Sequence, residues 1–183
     1  MASTPHERPA YLAVVHRFVN SLDLDPADWS DEIQNAGELT DWLRADCALP
    51  PGEHATEDDL RLALHLRTAL RGLARANHGE PAEAGIEELA RRCFARLPLQ
   101  AVPGDVVLAP VGLSAVRAAL AGIVAGYATA VAAGEWRRLR QCPGDECGWV
   151  FWDSSARANR RWCTMAVCGN RAKVRAFSRR NTT

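Results

Sequence analysis

The sequence predicts a mainly α-helical protein with one small β-hairpin, closed by a four-cysteine zinc-finger module built from a short strand and a basic helix. Three observations predict it. Apolar residues recur at helical spacing through most of the first three quarters of the chain. Two short apolar runs flank a turn signal, Pro103-Gly104-Asp105, which reads as a hairpin. Four cysteines fall in two C-x4-C pairs, Cys142/Cys147 and Cys163/Cys168, with fifteen residues between the pairs. On this basis residues 1–139 form a helical domain and residues 140–183 a metal-binding domain.

Residues 1–9 are polar and proline-bearing and are expected to fray. From Ala10 to Leu22, Leu12, Val15, Phe18, Val19 and Leu22 recur at helical spacing, although Val14-Val15 and Phe18-Val19 leave a strand start open. His16 within it reads as a surface or satisfied core histidine, and Asn20 as a residue that lines a pocket. Asp23 to Ser30 is a loop. A short helix over Ala36–Ala45 turns Leu39, Trp42 and Leu43 inward. Leu49-Pro50-Pro51-Gly52 breaks it. Thr56 and Asp59 stand in capping-box positions for a helix that runs to Ala76. Its apolar face carries Leu60, Ala63, Leu64, Leu66, Leu70 and Leu73. Arg61, Arg67, Arg71 and Arg75 form an opposite face, read as solvated. Another helix starts at Pro81 and runs to about Leu97. Cys47 and Cys93 lack cysteine partners at ligand spacing and read as ordinary free thiols.

Ser114 is a cap for the last long helix of the body, expected to run to about Leu139 and so to join the metal module stiffly. Between Arg117 and Glu135 it has no charged residue. That length raises the question of a membrane span, but its alanines and glycines contribute little to insertion, and a helix packed on all sides is expected instead. Gly122, Gly126, Ala130 and Gly134 recur every fourth residue, a ridge that lets another helix approach closely, within the chain or across a dimer.

The chain is neutral overall, with 22 basic and 22 acidic residues, but the charge is divided. Residues 136–183 hold eleven basic residues and three acids, a net +8, and the rest of the chain is net −8. Zinc with four thiolates leaves the module near +6. An acidic body joined to a basic module points to an anionic partner for the module. All the basic residues except Lys173 are arginine in both halves, a pattern that GC-rich coding also produces.

Four cysteines in two short turns supply four soft ligands for tetrahedral zinc. The alternatives are local disulfides, which need an oxidising compartment, and an iron–sulfur cluster, whose cysteines usually lie closer together. The first ten residues lack the features of a signal peptide, so a cytoplasmic, zinc-bound chain is expected. Pro143-Gly144 and Gly148-Trp149 supply turn chemistry around the first pair, as do Gly169-Asn170 after the second. Trp149, Phe151 and Trp162 read as structural aromatics, and Trp152 as a ring that stacks on a base or packs on the helical domain. Asp153 reads as an orienter of an arginine or a cap for backbone N–H groups. After Cys168 a helix is expected from Asn170 to Arg180, with Val174 and Phe177 on the buried side. Arg171, Arg175 and Arg179 form one basic stripe and Lys173 another flank. Arg160 and Arg161 precede the second cysteine pair. These six residues are the candidate contacts to nucleic acid.

The run C-G-W-x-F-x-D-x-S-x4-R-R-W-C-x-M-x2-C-G-N-R-x-K, from Cys147 to Lys173, resembles the CGNR zinc finger of actinobacterial and related regulators. The phrases F-V-N-S (Phe18 to Ser21) and E-L-T-D-W-L (Glu38 to Leu43), with the Arg/Leu helix from Leu60 to Ala76, are similar to the ABATE domain that precedes that finger. The resemblance implies a stress-induced transcription regulator. It fits a DNA-binding protein whose helical domain dimerises or senses a small ligand. An RNA- or ribosome-associated zinc module and a redox-sensing interaction module are the alternatives. No Gly-rich phosphate loop or nucleophile–base pair is recognisable, and four cysteine ligands leave zinc no open position, so no enzyme is expected.

Overall fold

The computed structural model describes residues 6–25, 29–79, 81–103, 108–144 and 147–180. Its chain order is α1 (Ala13–Val19), β1 (Leu22–Asp23), β2 (Ser30–Asp31), α2 (Ala36–Cys47), α3 (Glu57–Ala76), α4 (Ile86–Ala95), β3 (Leu99–Ala101), β4 (Leu108–Pro110), α5 (Ala115–Ala132), β5 (Leu139–Gln141), β6 (Val150–Trp152) and α6 (Asn170–Arg180). The strands form three separate antiparallel pairs, β1-β2, β3-β4 and β5-β6.

Helix α3 is the axis of the body. Thr56 and Asp59 close its capping box from both sides, satisfying backbone N–H groups that the first turn leaves without partners. Leu60, Leu62, Ala63, Leu66, Ala69, Leu70 and Ala74 are all buried, so its apolar face is broader than the six positions read from spacing. Helices α1, α2, α4 and α5 pack around it. Leu39, Trp42 and Leu43 of α2 point into the core as expected. Helix α4 begins at Ile86 rather than Pro81, behind Gly85 in the left-handed conformation. The hairpin of β3 and β4 pairs Leu99 with Pro110 and Ala101 with Leu108. Its turn falls partly outside the described residues.

Helix α5 is long and apolar enough to cross a membrane by length and composition. Its buried residues, including Val116, Leu120, Ile123 and Val124, join the same core as α1 and α3. The small-residue ridge has its partner within the chain at Gly126, where an added Cβ would lie 2.7 Å from the carbonyl oxygen of Tyr11. Gly122 on the same ridge lines a cavity of about 490 Å³ between the end of α2 and the first half of α5.

The long helix does not reach the metal module. It stops at Ala132, and Gly134 turns left-handed at φ +70°. Gly134 N–H then donates to Val131 and Glu135 N–H to Ala130, the two bonds of a Schellman C-cap. A 3₁₀ turn, Trp136–Arg138, leads straight into β5. Gly134, read as part of the ridge, is the stop signal. The connection to the module is a strand pair, with Leu139 opposite Trp152 and Gln141 opposite Val150. Leu139 and Val150 are fully buried in the helical core.

Candidate metal centre and basic surface

Strand β5 ends one residue before Cys142, whose N–H donates to Trp149 across the strand end, while Cys147 N–H donates to Gly144. This folds the first cysteine pair into a tight knuckle. The second pair is shaped by a π-helical turn, Met165–Gly169, capped by the Thr164 hydroxyl. Gly169 and Asn170 are helical rather than a left-handed turn, because this wide turn runs directly into α6. The four Sγ atoms lie within 4.8 Å of one another. Cys147 and Cys163 are 3.6 Å apart and Cys163 and Cys168 3.5 Å apart. Four sulfurs around zinc at about 2.3 Å are spaced by about 3.8 Å, so the donor set fits a tetrahedral site. No two sulfurs are bonded in this structure, and the four-way gathering of thiols favours a metal site over two local disulfides.

The electrostatics fit a dication as well. Burial pushes the Cys147 thiol up to about 11, and burial with the neighbouring thiols pushes Cys163 up further. Cys142 is also buried, yet N–H donors from Cys163 and Gly144 hold it below the ordinary thiol value. Four thiolates do not gather here without a compensating cation. Phe151 and the half-buried Trp162 pack on the cluster, as structural aromatics. Zinc bound by these residues would cross-link the two knuckles.

Asp153 organises the chain between the pairs. It is fully buried and accepts from Ser155 N–H, the Ser155 hydroxyl and Arg160 N–H, which makes it a cap for backbone donors. Three arginines fill the remaining carbonyls. Arg138 donates to Asp153 and Ser155, and Arg140 to Ala158 and Arg160. Arg160 lies over the Phe151 ring and donates to the carbonyls of Trp162 and Cys163. Arg160, a candidate nucleic-acid contact by sequence, is turned inward.

The helical body grips the same hairpin. Asn20 reads strand β6 as a base reads its partner: its amide donates to Val150 O at 2.8 Å and accepts from Val150 N–H at 2.9 Å. His16 Nε2 donates to the same carbonyl. Arg71 donates to Val19, Leu22 and Gly148, joining α1 to the first knuckle. Burial, then the neighbouring Arg67, lowers its pKa to about 10, so it is still charged at neutral pH. Arg67 makes a bidentate pair with Asp31 at 2.7 and 2.8 Å. Arg67 and Arg71 are therefore not on a solvated face; they are 4% and 5% exposed. Asn77 donates to Trp136 and Leu139, and His78 to Gln141. Trp152 packs on the body, stacked on His6, and donates to the His6 carbonyl. His6 also meets Glu135 at 3.0 Å, so the segment expected to fray is anchored from His6 onward. Asn20 lines a cavity, as read from the sequence; its grip on Val150 was missed, and F-V-N-S was its only sequence signal.

The remaining candidate contacts face outward. Arg161 is exposed, over Trp162. Arg171, Lys173 and Arg179 are exposed and Arg175 is half-buried on α6, with Arg171 3.8 Å from Asp25. Val174 and Phe177 do not form a buried side. They are 65% and 61% exposed, because α6 packs chiefly on its own π-helical turn. Trp149, expected to be structural, is partly exposed at the mouth of the cysteine cluster beside Asp23 and Asp25.

Two family models match the chain. The CGNR zinc finger matches residues 138–181. The ABATE domain, described as "putative stress-induced transcription regulator", matches residues 12–142. A search of curated proteins gave no match. The four gathered thiols, the hairpin that carries the first pair and the helical body that holds it all lie inside these two spans, and the chain belongs to the ABATE family, with a CGNR zinc finger at its C-terminal end.

Proposed function

We propose that this chain is a DNA-binding transcriptional regulator in which a zinc centre orients a projecting basic helix. The observation that carries the reading is the division of labour among the arginines. Arg138, Arg140 and Arg160 are occupied by the module's own carbonyls, while Arg161, Arg171, Lys173 and Arg179 stand exposed and Arg175 half-exposed. A short basic helix held at one end by a metal is a common means of addressing a groove or a backbone. Like charges at i, i+4 destabilise such a helix, and an anion on that face removes the cost. The metal is structural in this reading, since four thiolates leave no open coordination position. The cavity beside Gly122 is where a ligand sensed by the body would bind.

The test is fluorescence anisotropy of full-length, zinc-loaded protein with random-sequence duplex DNA across a salt series. The expected result is binding whose log K falls with log salt at a slope of about −0.9 per phosphate neutralised. Zinc-loaded protein that leaves duplex DNA free at low salt sinks the reading. The exposed Trp149 ring favours a second reading, stacking on single strands. Preference for single-stranded RNA over duplex in direct competition would select it.

A further inference from the structure

A cavity of about 310 Å³ lies where the body meets the metal module. It is lined by Arg75 and His78 from the end of α3 and by Arg140, Pro143, Asn159 and Arg161 from the module. Three guanidinium groups share this wall, and among the described residues no carboxylate lines it. Arg140 is anchored by the carbonyls of Ala158 and Arg160 and stands 3.9 Å from the buried Asp153 carboxylate, which fixes it in place and offsets part of its charge. Arg161 is steadied by the Trp162 ring. Arg75 is near Glu83, but at 3.7 Å the pair is loose and both side chains are largely exposed. Among the described residues the side chains of Arg75 and Arg161 make no hydrogen bond; the loose Glu83 pair and the Trp162 ring are the contacts they have. The carboxyl end of α3 contributes about half a negative charge; with Asp153 beside Arg140 and Glu83 loosely beside Arg75, Arg161 keeps the wall net positive. His78 Nε2 is committed to Gln141 and shapes the wall.

Planar guanidiniums with unfilled donors match the oxygens of a phosphate group. The volume stands at the lower end of the range of small-ligand sites, about 300 Å³. We propose that this junction cavity binds a phosphate group. The phosphate is carried either by a free small anion or by a nucleic-acid backbone. The site stands apart from α6 and Arg75 belongs to the helical body, but it shares Arg161 with the DNA reading; the small-anion arm is independent of that reading and the backbone-phosphate arm rests on it. Because its walls come from both parts of the chain, an occupant cross-links them.

The experiment uses the full zinc-loaded chain with inorganic phosphate as the probe, titrated calorimetrically at constant ionic strength against chloride. Arg75→Gln and Arg161→Gln are compared with Arg75→Lys and with Arg91→Gln, an exposed α4 arginine paired with Glu88. Zinc content and far-UV circular dichroism confirm that each variant is folded. Saturable phosphate binding that weakens at least tenfold in both glutamine variants, but not in Arg75→Lys or Arg91→Gln, supports a small-anion site. If phosphate does not saturate but Arg75→Gln lowers duplex DNA affinity at least threefold while Arg91→Gln does not, the occupant is a backbone phosphate. No saturable phosphate binding, with DNA affinity indifferent to Arg75→Gln, overturns the inference and leaves the DNA reading standing. Phosphate binding without any DNA binding does the reverse.

Discussion

The two halves of the C-terminal module are held by different forces. From Leu139 to about Trp162 the chain is bound to the helical body. Leu139 and Val150 are in its core, Asn20 and Arg71 hold the strand and the knuckle, and Trp152 packs on His6. From Cys163 onward the ties among the described residues are fewer, with Arg171 3.8 Å from Asp25. Among the described residues helix α6 packs chiefly on its π-helical turn, with its two largest apolar side chains in solvent. The hairpin thus belongs energetically to the body, and the basic helix to the cysteine knuckle and, in the proposed reading, to the zinc it would hold. The cysteine motif is one unit in sequence and two in stability.

Metal removal should separate the halves most strongly. Structural zinc contributes about 10–16 kcal/mol in isolated finger peptides, and an eleven-residue helix is marginal alone. Chelation of zinc, or Cys168→Ser, is expected to abolish hydrogen-exchange protection across residues 163–180 while α3 keeps its own. Equal loss of protection in α3 would break the comparison, because body and finger would then be one cooperative unit.

The next effect acts on the hairpin side. Arg71→Ala removes a buried charge donor from three carbonyls and is expected to destabilise the protein by about 3 kcal/mol. Asn20→Ala leaves both polar groups of Val150 without this partner and is expected to cost about 2 kcal/mol. Urea unfolding followed by circular dichroism measures both. The zinc-to-protein ratio should stay at one in each variant. Changes below about 0.5 kcal/mol, the scale of ordinary surface substitutions, would show that the body does not carry the hairpin.

A smaller, pH-dependent effect should follow from His16, which burial and then Arg8 hold below its ordinary value. Above about pH 6.5, neutral His16 is the same in both states and the stability is complete. As pH falls through 6.5 the unfolded chain takes up a proton that the folded chain refuses, so stability drops until the folded value is passed. Asp153 has the same sign lower down. Its hydrogen bonds outweigh burial and hold it below the ordinary carboxylate value, so its contribution disappears as pH falls below about 4. His16→Gln should flatten the urea midpoint between pH 7.5 and 5. A profile parallel to that of the parent chain would remove His16 from the account.

What the sequence made legible follows the same divide. The cysteine pairs, the α3 capping box, the inward Leu39, Trp42 and Leu43 and the α6 boundaries were all readable, because each is set by local spacing. The grip on the hairpin was not. Arg67 and Arg71 keep helical spacing with the exposed Arg75, and nothing in that period tells a buried arginine from a solvated one. Their partners, Asp31 and the carbonyls of Val19, Leu22 and Gly148, come together only in the folded chain. Gly134 was ambiguous for a different reason, since a small residue serves equally in a ridge and at a C′ stop. Val174 and Phe177 were placed inside because apolar spacing on a helix usually marks a buried face; here both are largely exposed.

That last reversal gives the smallest predicted effect and a sharp one. If α6 is held only by the metal and its own turn, replacing both Val174 and Phe177 with serine removes no buried contact. The double variant is expected to unfold in urea within about 0.5 kcal/mol of the parent and to bind zinc at the same ratio. A loss of about 2 kcal/mol or more, the scale of emptying a packed apolar site, would mean that α6 rests on the body in solution. The basic stripe would then be presented by the whole protein rather than by the zinc centre alone.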